Sequence, residues 1–363
     1  MSASTLTPIP AAATKAAELP LLQRIVRTLL TQRVALLGVL IVVVLAVMMS
    51  LDTAGMLSGS YDTDYLASTL ISAVPVAILG FAQLIVILSG KAGIDLSVGA
   101  VVSISGVVFG FSYGVWGLGL VPAILLTALT GVVCGAINGY LIAYIGFPPL
   151  IATLATFYAL KSLAMVVSGQ RPINSQTIQD FYSAARPVEL PLIGQYLPDF
   201  PMAVFTFLLP AVVLMWLLLN RTAYGRRAYA IGTNDDAAKW AGIDTRRTRL
   251  IAYITAGGLA SMAAVVIVAQ FASARPDAGT AGNGLALPAI TIAVLGGVAI
   301  TGGIGRVAGV LLATLLVVWL NAGLLLAIPG NPGTQMQLLA MGVMLIGAAL
   351  LNNYASKRYG IVK

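Results

Sequence analysis

From Val34 to Leu351 long apolar runs alternate with short polar breaks, and the length of each run is the most informative feature of the chain. A bilayer core of about 30 Å takes roughly 20 helical residues to cross. That ruler marks ten spans: Val34 to Ser50, Tyr65 to Ser89, Leu96 to Val115, Leu118 to Ile145, Pro149 to Ser168, Met202 to Leu219, Leu250 to Phe271, Leu285 to Ile300, Val307 to Ile328 and Thr334 to Leu351. The third and eighth are short and rich in glycine, which suits a broken or re-entrant helix. The pattern therefore predicts an all-α polytopic membrane protein of about ten transmembrane helices, some of them broken or re-entrant.

The most highly charged polar break is Asn220 to Arg249, which holds seven of the 20 Lys and Arg residues beside Asp235, Asp236 and Asp244. Such a segment must sit in water. Thr233 or Asn234 can cap a short helix whose first turn carries Asp235 and Asp236, where the helix dipole favours acids, and Gly242 is a natural stop. A capped, exposed helix suits docking of a soluble partner. The plainer alternative is an orienting loop, because positive residues collect on the cytoplasmic side of membrane proteins.

Charge distribution fixes the expected topology. With ten spans, sixteen of the 20 Lys and Arg fall on one side, including Lys91, Arg306, the residues before Val34 and those after Leu351. Both termini are then cytoplasmic. The chain divides into a tail over 1–33, a transmembrane body over 34–351 with a cytoplasmic loop at 220–249 and an extracytoplasmic loop at 169–201, and a tail over 352–363. The outer loop carries Pro172, Pro187, Pro191 and Pro198, and has one short amphipathic stretch near Ile178 to Ala185. It is either a surface for a partner or a connector.

Composition narrows the chemistry. The chain is 59% hydrophobic and 9% charged, which excludes an ordinary soluble domain. It has no His and a single Cys134, so metal sites, disulfides and Ser-His catalysis are not expected. The net charge of +8 is spread between apolar spans and forms no continuous face for nucleic acid. No Gly-x-x-x-x-Gly-Lys-Ser/Thr loop is present, so a phosphate-loop nucleotide site is not expected on this chain.

Within the spans, Asp95 is the only acid between Asp64 and Asp180. A carboxylate near lipid is costly unless capped, paired or wetted. Asp95 can cap the following helix through Ser97 or Val98, with Lys91 near enough in sequence to neutralise it, or it can line a pathway. Gln83, Asn138, Thr153, Gln270 and Asn321, with Thr156, supply amide and hydroxyl groups, and Phe81 and Phe157 supply ring faces. Together they suit a neutral, hydroxyl-bearing cargo, although each alone suits an interhelical hydrogen bond. The four-residue spacing of Gly131, Gly135 and Gly139, and of Gly106, Gly110 and Gly114, predicts close helix packing.

Four runs resemble the permeases of ABC importers of the ribose, xylose and galactose class, within the branched-chain amino-acid and sugar permease superfamily. They are Gly-Ile-Asp-Leu-Ser-Val-Gly at 93–99, with Ala92 where the family often has Gly; Asn138, Gly139 and Phe147 to Thr156; Ala228 to Ile243; and Ala289 to Gly305. Ala286 and Pro288 stand where that family commonly has acids, a departure that bears on the cargo. The resemblance implies a permease for a monosaccharide or related neutral polyol-like solute in the bacterial cytoplasmic (inner) membrane. By it, Asn234, Asp235, Asp236, Ala237, Ala238, Lys239 and Gly242 would form the contact with a separate ABC ATPase subunit. ATP and Mg would belong to that ATPase, with no cofactor on this chain. The further implied partners are an extracytoplasmic solute-binding protein, a second permease copy or paralogue, and membrane lipid. The alternative is an ion-coupled secondary transporter, which would need buried ionisable groups; only Asp95 and Lys161 qualify.

Overall fold

The computed structural model describes residues 32–188, 198–281 and 284–359. The expected amino-terminal tail lies outside them up to residue 31, as do 360–363 and the 189–197 part of the outer loop. The protein is an all-α polytopic membrane protein, 76% helical. Among the described residues nine helices are long and apolar enough to cross a bilayer.

In chain order the elements are α1 (Arg33–Thr53), α2 (Thr63–Leu88), α3 (Val98–Phe109, prolonged by a π turn at Gly110–Val115), α4 (Leu120–Tyr140, with a π turn at Leu141–Ile145) and α5 (Pro149–Val167). The short α6 (Gln176–Asp180) and a 3-10 turn follow, then a two-residue hairpin pairing β1 (Pro187–Val188) with β2 (Phe200–Pro201). After a π turn at Val204–Leu208 come α7 (Leu209–Arg221), α8 (Ala223–Thr233), α9 (Asp235–Trp240), α10 (Thr245–Phe271), α11 (Ala286–Leu295), α12 (Val307–Ala327) and α13 (Asn331–Tyr359).

Local chemistry sets these boundaries. The Asp62 side chain accepts from the Tyr65 N–H at 2.9 Å and opens α2. Pro149 occupies the first turn of α5, where its missing N–H has no intrahelical partner to lose. Ser175 caps α6, which starts two residues before the predicted amphipathic stretch. Helix α13 runs through Tyr359, so most of the expected carboxy-terminal tail is helical.

The helices form two layers. In α2, α3 and α10 about three quarters of the apolar window is buried, whereas in α1, α5, α7 and α13 less than a quarter is. The outer helices instead present Val42, Ile151, Leu214 and Val343 outward. Side chains of this kind on a continuous outer surface require hydrocarbon around them. The tightest inner crossing joins α4 to α10. A Cβ on Gly131 would collide with the Gly257 carbonyl, one on Gly135 with the Tyr253 carbonyl, and one on Gly139 would stand 2.8 Å from Leu250. These glycines let the two backbones touch. The second triplet behaves differently, since Gly110 and Gly114 meet Ile173, Ala274 and Ile178 of the outer loops.

Of the two glycine-rich predicted spans, the eighth is short, reduced to the ten-residue α11, whereas the third is a continuous helix over Val98–Val115 with an irregular approach before it. Before α3 the chain passes through three residues with positive φ, Gly90, Lys91 and Ala92, then enters the core in irregular conformation as far as Ser97. Between α10 and α11 it bridges Ile173 to Ala274, then turns inward until Gly279 lies against Gly99 and donates its N–H to Ser103 Oγ at 3.0 Å. Helix α11 has ten residues, about 15 Å, half the thickness of a bilayer core. The amino-terminal ends of α3 and α11 thus meet in the interior beside α2. The opposite end of α11 reaches Gly296, packed on Gly309 at the start of α12.

Candidate functional site

A buried polar network surrounds the break before α3. Gln83 on α2 holds the irregular segment by a two-way bond: its Nε2 donates to the Asp95 carbonyl at 2.6 Å, and the Asp95 N–H donates to Gln83 Oε1 at 3.3 Å. Asp95 is 2% exposed, and its Oδ1 accepts from the Ser97 N–H at 2.8 Å and the Ser97 hydroxyl at 2.6 Å. Asn138 on α4 donates to Ser97 Oγ at 2.8 Å and accepts from Thr156 of α5 at 2.7 Å. Thr153 also donates to the Ile94 carbonyl at 3.3 Å. Hydroxyl and amide groups from four helices therefore hold one carboxylate at a helix start, and each is satisfied by its neighbour.

Lys91 does not neutralise Asp95. The positive-φ turn carries it away, and its Nζ lies 3.5 Å from Asp235. Among the described residues no ion pair reaches Asp95. Gln83, Asp95, Asn138 and Thr153 come together, joined by Ser97 and Thr156. The other pathway candidates lie apart. Phe81 is wholly buried in the core, and Phe157 sits half-buried on α5 with Lys161 Nζ 5.8 Å from its ring centre. Gln270 is next to the last residue of α10. Asn321 accepts from Gln337 at its carbonyl, 2.9 Å, while its Oδ1 is buried without a partner among the described residues.

The second cluster is the basic end of the molecule. Three side-chain caps follow one another: Thr222 accepts from Gly225 N–H at 3.1 Å, Asn234 from Ala237 N–H at 2.9 Å and Asp244 from Arg247 N–H at 2.9 Å. They cut the polar segment into α8, α9 and the start of α10. Of the two predicted caps for α9, Asn234 is the one used; Thr233 donates back to the Tyr229 carbonyl. Gly242, at φ +78, closes α9 while its N–H bonds the Lys239 carbonyl and Ile243 bonds that of Ala238. Both bonds together make a Schellman stop.

Asp235 faces inward from this helix. It pairs with Arg249 at 2.8 Å, Lys239 at 3.0 Å and Lys91 at 3.5 Å. Burial alone would raise its pKa, but hydrogen bonds from Arg249 and Lys239 and the charges of Arg249 and Lys91 outweigh that and hold it at about 2. Arg249 is 3% exposed and also donates to the Ser89 carbonyl at 3.3 Å, tying α9 and α10 to the end of α2. Ala238 is buried beneath, and the outward face carries Asp236, Lys239 and Trp240, the last 91% exposed. Hydropathy passes over Trp240 and Arg249, because one is a lone aromatic in a polar loop and the other a charge at the rim of a span. The cap at Asn234 is the readable signal, since it sets which face of α9 turns outward.

Backbones meet closely at this end. A Cβ on Gly232 would collide with the Leu88 carbonyl and Gly303 N, and one on Gly90 would come 3.0 Å from Gly232 Cα. Tyr229 of α8 donates to the Gly305 carbonyl at 2.8 Å. The capped segment thus touches the irregular turn before α3 and the turn after the short α11.

Residues 65–349 match the family described as branched-chain amino acid transport system / permease component. The chain is 35% identical over 271 residues to the autoinducer 2 import system permease protein LsrD of Photorhabdus laumondii, covering 75% of this chain and 78% of that protein. It is 36% identical over 249 residues to LsrD of Yersinia enterocolitica, covering 69% and 72%. It is 34% identical over 293 residues to the fructose import permease protein FrcC of Rhizobium meliloti, covering 78% and 76%. No solved structure matches the chain. A match over most of its length, with relatives this similar across two thirds or more of their own, means that the chain belongs to the branched-chain amino acid transport system / permease component family.

Proposed function

We propose that the chain is the permease subunit of an ATP-driven importer for a monosaccharide or a related neutral polyol-like solute. It is a transporter subunit and not an enzyme. A separate ATPase, which carries ATP and Mg, docks on the outward face of α9, with the basic end cytoplasmic in a bacterial inner membrane. A second permease copy or paralogue completes the pathway, and a solute-binding protein delivers cargo to the opposite face, where α6 and the β1–β2 pair lie.

The observation that carries this reading is α9 itself: six residues fixed by a cap, a Schellman stop and a buried ion pair, presenting an almost fully exposed indole. Rigid presentation of a large aromatic lowers the entropic cost of association. Import of autoinducer 2 and of fructose, named for two relatives, supports a hydroxyl-rich cargo.

The test is reconstitution of the chain with its ATPase and binding protein in vesicles, scoring ligand-stimulated ATP hydrolysis and uptake for a panel of monosaccharides and related polyols. Uptake driven by a proton or sodium gradient through the chain alone would overturn the proposal.

A further inference from the structure

We propose that Lys161 is a charge filter in the solute pathway: the flank of α5 that carries it faces water between this chain and its partner permease, admitting neutral and anionic solutes and repelling cations. The inference deepens the reading above and rests on it for the second permease. Lys161 lies six residues before Val167, the last residue of α5, deeper than any other charge in the nine spans among the described residues. A charged side chain at that depth needs water or a counter-charge. Among the described residues no carboxylate pairs with it, and its contact is the Phe157 ring, with Nζ 5.8 Å from the ring centre.

Snorkelling to the outer headgroups does not supply the water. Side chains on a helix tilt toward its amino-terminal end, and here that end is Pro149, away from the outer loop that follows Val167. Lys161 keeps this direction, because Phe157 is one turn nearer Pro149. The ammonium is thus turned away from the outer end of the helix, about 9 Å further along.

The surface around it is also unlike a lipid face. Between Ala155 and Ser162 the exposed residues of α5 are Ala155, Tyr158, Ala159 and Ser162, each small or hydroxyl-bearing, where α1 and α7 expose Val43 and Leu214. Such residues suit close approach of another protein, or water, better than hydrocarbon. Phe157 is half-buried on the same flank, edge-on to Tyr158 at 5.3 Å. An ammonium beside ring faces can donate to a polyol hydroxyl or an anion, whereas a cation meets like charge.

The experiment measures the potential at Phe157 with charged thiol reagents. The assembled transporter, carrying Cys134→Ala and Phe157→Cys, is placed in lipid nanodiscs and reacted with an anionic or a cationic methanethiosulfonate at low ionic strength, nucleotide-free and after vanadate trapping. Rates are taken relative to each reagent's rate with a free thiol. With Lys161 in place the anionic reagent should be favoured by about tenfold, the effect of one charge about 6 Å away in water on reagents of opposite sign. Lys161→Gln should cancel that advantage and Lys161→Glu should invert it. Tyr158→Cys, at an exposed position, gives a second reading, and Leu214→Cys on the lipid face should stay unlabelled. No labelling at either α5 position in either state would put this flank in lipid and overturn the proposal. So would an anionic advantage that survives Lys161→Gln, or none with Lys161 in place, the result expected if a partner carboxylate neutralises it. The nucleotide-free reading needs neither cargo nor ATP hydrolysis, so its failure is distinct from failure of the uptake test above.

Discussion

Trp240 exposes almost its whole indole at the end of a helix whose other large contacts point inward. Truncating it removes nothing that the isolated chain uses, so Trp240→Ala should melt at the same temperature as the unaltered protein. A buried interface aromatic is commonly worth 2 kcal/mol or more, about thirtyfold in affinity, and ATPase retention in a pull-down at fixed concentration should fall accordingly. Unchanged retention would remove the indole from the docking surface. Asp235 should do the reverse. Asp235→Asn leaves the buried Arg249 without its carboxylate and should cost about 3 kcal/mol of stability, the usual scale for breaking one side of a buried pair. Arg249→Met should cost less, because Asp235 keeps Lys239 and Lys91. The pH dependence has a definite sign. With its folded pKa held near 2, below the ordinary 3.8, Asp235 contributes in full at neutral pH and loses that contribution as pH falls through this interval. Thermal midpoints of the unaltered protein and Asp235→Asn should converge there, and a constant gap would place the stabilisation elsewhere.

At the scale of elements, apolar run length locates the ten segments because bilayer thickness dictates it, and it marks the short α11, whose glycines and length do not satisfy the ruler; the third span, expected to be broken or re-entrant, is instead continuous over Val98–Val115, with its irregularity before it. It misplaces ends where polar chemistry takes over. Hydropathy starts the seventh span at Leu250, but Asp244 caps α10 at Thr245, and Arg249 then lies inside a helix, buried against Asp235. The pairing of Lys91 is illegible for a related reason: nearness in sequence suggests Asp95, while three consecutive positive-φ residues send the side chain the other way. The polar network is partly readable, since Gln83, Asp95, Asn138 and Thr153 stand out against apolar surroundings. That Ser97 and Asn138 bridge them across three helices needs the fold. Asn138→Leu removes the bridge between Ser97 and Thr156, whose hydroxyls still donate to Asp95 and to the Ala152 and Thr153 carbonyls, and should cost about 1 kcal/mol and loosen the irregular entry to α3. The readouts are the thermal midpoint and protease cleavage between Gly90 and Ser97. A midpoint within error of the unaltered protein would mean that the network does not hold this break.

Across the whole molecule, the two clusters are the two ends of one short path. Residues 89–97 are fixed at one end by Asp95 and Ser97 to α2 and α4, and at the other by Lys91 and the Ser89 carbonyl to Asp235 and Arg249. The same capped segment meets the turn after α11 through Tyr229 and the Gly232–Gly303 contact. A displacement of α8 and α9 therefore reaches the approaches to both α3 and the short α11, which adjoin at Gly99 and Gly279. Close backbone packing transmits such a shift because it leaves no soft side chains to absorb it. Combining Lys91→Met with Tyr229→Phe removes one side-chain tie to the approach to α3 and one to the turn after α11 while leaving the outward face of α9 intact. ATPase retention should stay normal and ATP hydrolysis should persist, while solute moved per ATP hydrolysed should fall severalfold in reconstituted vesicles. If that ratio is unchanged, the shift travels through the long helix α10, which leaves the capped segment at Asp244 and crosses the core against α4.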